Sequence, residues 1–124
     1  MKHAPLSFLP DLFESLDLGT ISASLLAKAH DASDGRAART LLKGPSLTVV
    51  LMAMRSGARL AEHAAPGPLL VLPLHGDVVF SRGDGEPGAS LREATALAVG
   101  PGLRHEVHAT SDASFLLVIG ARSP

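Results

Sequence analysis

The side chains in this sequence best suited to chemistry are histidines. The chain has six of them and no cysteine, so disulfides, thiolate metal sites and thiol nucleophiles are excluded together. Imidazole titrates near neutrality, moves protons, hydrogen-bonds through two distinct nitrogens and ligates metals. Two of the six stand in comparable settings. Gly57 precedes His63 and Gly76 follows it, while Gly100-Pro101-Gly102 leads into His105. The glycines allow tight turns, and a histidine that opens the next strand shares its face with alternate residues. Both rings can then look into one cavity, where they would transfer protons or orient a carbonyl or carboxylate.

Other polar residues carry less. Ser111, Asp112 and Ser114 lie close to His105 and His108, but no Gly-x-Ser-x-Gly elbow surrounds them, which rules against a hydrolase triad. Arg59 and Arg104 could clamp an anion, yet read as solvated charge at strand edges. His3, His30, His75 and His108 read as surface residues. Met52 and Met54 share a strand face and read as core that can border a pocket.

The elements that must position the two histidines are strands. From Leu47 onward, short apolar runs are separated by Gly and Pro: 47–54, 69–74, 78–80, 94–99 and 115–119. That cadence predicts an antiparallel barrel or sandwich. The Arg82–Gly88 stretch is a dense turn signal and reads as an exposed hairpin loop. Leu69 to Leu74 is apolar on both faces, so it needs cover from the barrel interior on one side and from the N-terminal arm or a second subunit on the other. Before Gly44-Pro45 the texture is helix-compatible. A short helix is expected over 11–18, between Pro10 and Gly19, and 21–30 fits helix or strand, with helix favoured. Residues 1–44 are therefore expected to form a partly helical N-terminal arm, and 45–124 the barrel core of one domain.

A chain of 124 residues is the size of one domain. With 46% hydrophobic residues, four Phe and no Trp or Tyr, its core and any pocket must be aliphatic. Eleven basic against twelve acidic residues give no field for a phosphate backbone or an anionic membrane, so neither nucleic acid nor membrane is an expected partner. The first ten residues lack a signal-peptide core and no apolar run is long enough to span a bilayer. A soluble, cytoplasmic protein is expected.

The stretch Gly57-Ala58-Arg59-Leu60-Ala61-Glu62-His63 through Leu74-His75-Gly76 resembles the first motif of the cupin family, and Gly100-Pro101-Gly102-Leu103-Arg104-His105 resembles the second. The resemblance spans 47–119 and implies a mostly β, antiparallel cupin barrel, that is, a double-stranded β-helix or jelly roll. In metal-binding cupins it further implies four ligands, two His and a Glu from the first motif and a His from the second. Here Ala65 stands at the second His position, and the Glu position falls on Leu69, or on Leu70 if the spacer is one residue longer, and none of these offers a lone pair. If His63 and His105 point inward, Glu62, Glu106 and His108 point outward, leaving His75 as the third ligand of any metal site. The leading expectation is a homodimeric cupin that binds a small molecule in its barrel, lined by His63, His105, Met52, Met54, Leu69 and Val71, without the full metal quartet. One alternative is a dioxygenase- or isomerase-like enzyme using His63, His105 and His75 around Fe, Mn, Ni or Zn. Another is a filled, non-catalytic interaction module.

Overall fold

Asp17 opens helix α1 (Leu18–Asp31). In this computed structural model, which describes residues 4–122, the Asp17 carboxylate accepts hydrogen bonds from the Thr20 N–H at 3.0 Å and the Thr20 hydroxyl at 2.8 Å. That satisfies a donor the first helical turn cannot pair internally and holds the Asp17 carboxyl below its usual range. At the other end Arg55 donates to the carbonyl oxygens of His30 at 3.0 Å and Ala32 at 3.1 Å, so a cation closes the negative end of the helix. Leu25 and Ala29 are buried, and they make the stripe that fastens α1 to the sheet below it.

Among the described residues nine strands follow: β1 (Arg36–Lys43), β2 (Leu47–Met54), β3 (Arg59–His63), β4 (Leu69–His75), β5 (Val78–Arg82), β6 (Ala89–Leu91), β7 (Leu97–Val99), β8 (His105–Ala109) and β9 (Ala113–Gly120). They form a five-stranded sheet in the order β1-β2-β9-β4-β7 and a four-stranded sheet in the order β3-β8-β5-β6. All the strand pairings are antiparallel. The two sheets face each other over one apolar interior in which Met54, Val71, Val78, Phe80, Val107 and Phe115 are buried. A second cluster, with Leu25, Ala29, Leu41, Leu51 and Ala53, lies between α1 and the outer face of the larger sheet.

Strand alternation explains both clusters. In β2, Met52 and Met54 turn into the barrel while Leu51 and Ala53 turn toward α1, so the strand is apolar on both faces because both are covered. The same holds along β4, where Leu69 and Val71 face the barrel and Leu74 packs with the helix cluster. The cover that Leu69 to Leu74 requires thus comes from α1 at the Leu74 end. At the opposite end Leu70 is 37% exposed.

The helix favoured over 21–30 forms as part of α1, whereas the short helix expected over 11–18 does not. Residues 11–17 are not helical, and Phe13 is 95% exposed. The cause is Asp17, whose carboxylate starts a helix at Leu18 and places Gly19 in the first turn rather than beyond the last. Ahead of it the chain runs extended beside β1, with the Leu6 N–H donating to the Leu41 carbonyl at 2.8 Å and the Lys43 N–H to the Leu6 carbonyl at 2.9 Å. Strand begins before Gly44-Pro45, since β1 already belongs to the larger sheet. The expected loop after Arg82 joins the paired strands β5 and β6. No helix among the described residues is long and apolar enough to cross a membrane.

Candidate functional site

His63 and His105 sit opposite each other on the paired strands β3 and β8. Their meeting depends on a bulge. Leu60 pairs with Val107, but the register shifts between Leu60 and His63, so that His63 rather than Glu62 comes level with His105. An extra residue in one strand reverses the facing of everything beyond it. Leu60 already packs against the barrel interior, and without the bulge Glu62 would follow it inward. With the bulge His63 joins the inner face while Glu62 is exposed and takes a hydrogen bond from the Arg104 Nε. The turns of the two motifs are also joined directly, the Gly102 N–H donating to the Ala65 carbonyl at 3.0 Å.

The imidazoles touch edge to face, with ring centroids 4.4 Å apart and planes at 61°. His105 is 4% exposed and stacks on Phe80 at 5.7 Å, and Phe80 meets Phe115 edge-on at 5.9 Å. Each imidazole has its Nδ1 within hydrogen-bond distance of a backbone carbonyl, Ala61 O at 2.9 Å for His63 and Leu103 O at 3.1 Å for His105. A carbonyl can only accept, so Nδ1 carries the proton and the lone pair of each neutral ring lies on Nε2. Burial lowers the His105 pKa, the bond to Leu103 opposes that, and a charge on neighbouring His63 would lower it further. A neutral His105 is thereby favoured.

Both rings line a cavity of about 220 Å³ whose other walls include Leu60, Ala65, Leu69, Phe80, Val107 and Phe115. Ala65 and Leu69, which the motif resemblance sets at two ligand positions, are thus apolar walls of the same cavity. His105, again with Phe80, also borders a second cavity of about 250 Å³ reaching Arg82, Leu97, Val99 and Leu103.

The other expected site residues lie elsewhere. Met52, Met54 and Val71 belong to the barrel interior but do not border the two-histidine cavity. His75 is exposed at the end of β4, past a register shift between Pro73 and His75. It borders a cavity between α1 and the outer face of the sheet, away from the pair. His30 pairs with Asp112 at 2.8 Å, His108 is half-buried on β8, and His3 lies outside the described residues. Among the described residues no group of three or more His, Cys, Asp or Glu could hold a metal ion. Phe80 and Phe115 were not singled out by sequence, although Val107 shares its strand face with His105 and marks the same wall.

A barrel of two facing antiparallel sheets with a two-histidine cavity defines a class of fold, and solved structures name it. No family model and no curated protein matches the sequence. A cupin superfamily protein from Desulfitobacterium hafniense superposes with a TM-score of 0.65 at 17% identity, over 69% of this chain and 77% of that one. An RmlC-like cupin family protein with a double-stranded β-helix fold, from Methanocaldococcus jannaschii, gives 0.65 at 10% identity, over 73% and 84%. DMSP lyase DddQ from Ruegeria pomeroyi gives 0.63 at 17% identity over 69% of this chain, which spans 47% of the lyase. The chain has the cupin fold, as the paired motifs imply. At these identities the likeness is one of fold, and function has to be argued from the site.

Proposed function

We propose that this chain is a small-molecule-binding cupin that holds its ligand in the barrel through the Nε2 atoms of His63 and His105, without a resident metal. The observation that carries the reading is the commitment of both Nδ1–H groups to backbone carbonyls. Two lone pairs then border a cavity with otherwise apolar walls, a setting that suits a compact, largely apolar molecule bearing a hydroxyl, amine or acid proton. At about 220 Å³ the space is below the ~300–1,000 Å³ of sites for drug-sized ligands, so the ligand is small. The favoured neutrality of His105 keeps that ring an acceptor.

A carbonyl-anchored Nδ1 with a free Nε2 is also how a metal-ligating histidine is held, and this favours a metal-dependent cupin enzyme as the second reading. The donor set weighs against it. Two imidazoles bordered by Ala65 and Leu69 leave a divalent ion to complete its shell with water, which does not fit a tightly held metal. Thermal-shift screening of compact alcohols, amines and acids tests the first reading, with His63→Ala and His105→Ala as controls. A ligand whose stabilisation vanishes in both variants supports it, and a ligand unaffected by both overturns it.

A further inference from the structure

An apolar cavity outside the barrel lies between α1 and the outer face of the larger sheet. It encloses about 460 Å³ and is walled by Leu18, Ser22 and Leu26 of α1, Leu74 and His75 of β4, and Ser114 of β9. Two serines in such a wall are unusual for what they lack. Ser114 is 1% exposed and Ser22 is 9% exposed, and neither hydroxyl has a hydrogen-bond partner among the described residues. Ser22 occupies the buried stripe of α1 with Leu25 and Ala29, where an alanine would pack as well and carry no desolvation cost. Ser114 faces it from the central strand β9, in register with Ala53 of β2 and His75 of β4, where alanine would again serve. A buried hydroxyl left unpaired on each side of one cavity needs an outside partner.

We propose that this cavity is a second ligand site, separate from the barrel, that takes a neutral aliphatic molecule with one oxygen-bearing head. The aliphatic part packs on Leu18, Leu26 and Leu74, and the head oxygen accepts from the Ser22 and Ser114 hydroxyls. Neutrality follows from the walls. Among the described residues no Lys or Arg lines the cavity, His75 is solvent-exposed at its edge, and the nearby Asp112 carboxylate is already engaged by the Ser56 N–H at 2.8 Å and by His30 at 2.8 Å. A carboxylate head would be desolvated without a matching cation.

The test is titration of the ¹⁵N-labelled full chain with 1-octanol, followed by amide shifts, beside a parallel titration with octanoate at pH 8. Saturable shifts confined to the amides around Ser22, Leu26, Leu74 and Ser114 are expected, with octanoate at least about tenfold weaker. Ser22→Ala with Ser114→Ala should weaken octanol about tenfold while leaving the melting temperature unchanged or higher, because the unpaired hydroxyls are gone. Ala23→Phe, at an exposed position of the same wall, should block binding without touching the core. Shifts centred on His63 and His105, affinity indifferent to the serine and Ala23 variants, octanoate binding as tightly as octanol, or no saturable binding would each overturn the proposal. The barrel reading stands or falls independently, since none of these variants borders its cavity.

Discussion

His63 and His105 lie directly across from each other on β3 and β8, their rings 4.4 Å apart, and a one-residue bulge brings them there. Deleting Ala61 alone removes the extra residue and should keep His63 opposite His105, whereas deleting Ala61 and Glu62 together sets His63 next to Leu60 and turns it outward. The expected outcome is retention of the His63–His105 contact in a crystal structure of the first variant and its loss in the second, with the barrel intact in both.

Replacing the site histidines separates binding from folding. His63→Ala removes a half-buried ring and should lower ligand affinity about tenfold, the worth of one hydrogen bond, with a melting temperature within a few degrees of the parent. His105→Ala should lower affinity similarly and also cost about 2 kcal/mol of stability, because the ring is buried against Phe80. Isothermal titration and denaturant unfolding read the two effects apart.

Acid should destabilise the fold through His105. Its pKa is lowered by burial, so between the folded value and the unfolded value near 6.5 the unfolded chain binds more protons than the folded one. Stability then rises with pH through that window and is lost as pH falls below the unfolded value. His105→Phe should flatten the slope of unfolding free energy against pH just below the unfolded value. An unchanged slope would remove His105 as its source.

The apolar residues at the missing ligand positions can be reversed. Ala65 lines the same cavity as His63 and His105, so Ala65→His should bring a third imidazole to them. The parent should retain no stoichiometric divalent metal after dialysis against Fe, Mn, Ni or Zn salts, whereas Ala65→His should hold close to one equivalent of Zn²⁺. Elemental analysis decides both. Stoichiometric metal in the parent, lost in His63→Ala and His105→Ala, would instead establish the metal-dependent reading.

Gly76 has a positive φ of 71°, and a Cβ there would collide with the Asp112 carbonyl oxygen. Gly76→Ala should cost about 2 kcal/mol or more, measured by denaturant unfolding. Gly57 also has a positive φ, 86°, but open space around it, so Gly57→Ala should cost less. The two glycines of the first motif thus differ in what they protect, a close approach at Gly76 and a backbone turn at Gly57.

Much of the barrel was legible because its strands are apolar runs between Gly and Pro. β2 matches its run from Leu47 to Met54 residue for residue. β1 escaped because it is an edge strand in which Leu41 alone is buried and Arg36 and Arg39 interrupt the pattern. β3 escaped because its bulge breaks the alternation that marks a strand. The pairing of His63 with His105 could be read from the motifs, but the cavity walls could not. Met52 and Met54 have the right facing and lie too far along the barrel, whereas Phe80 comes from a strand whose place beside β8 is set only by tertiary pairing. His75 shows the limit of parity, since a register shift just before it changes where the side chain is spent.

Among the described residues β9 follows every other strand, yet it occupies the middle of the larger sheet, hydrogen-bonded to β2 on one side and β4 on the other. During synthesis β2 and β4 must therefore wait, with facing edges open, until β9 emerges from the ribosome. Such late, long-range closure is slow. A stop codon before Ala113 should therefore leave the edges of β2 and β4 unpaired and yield aggregate rather than a smaller folded protein.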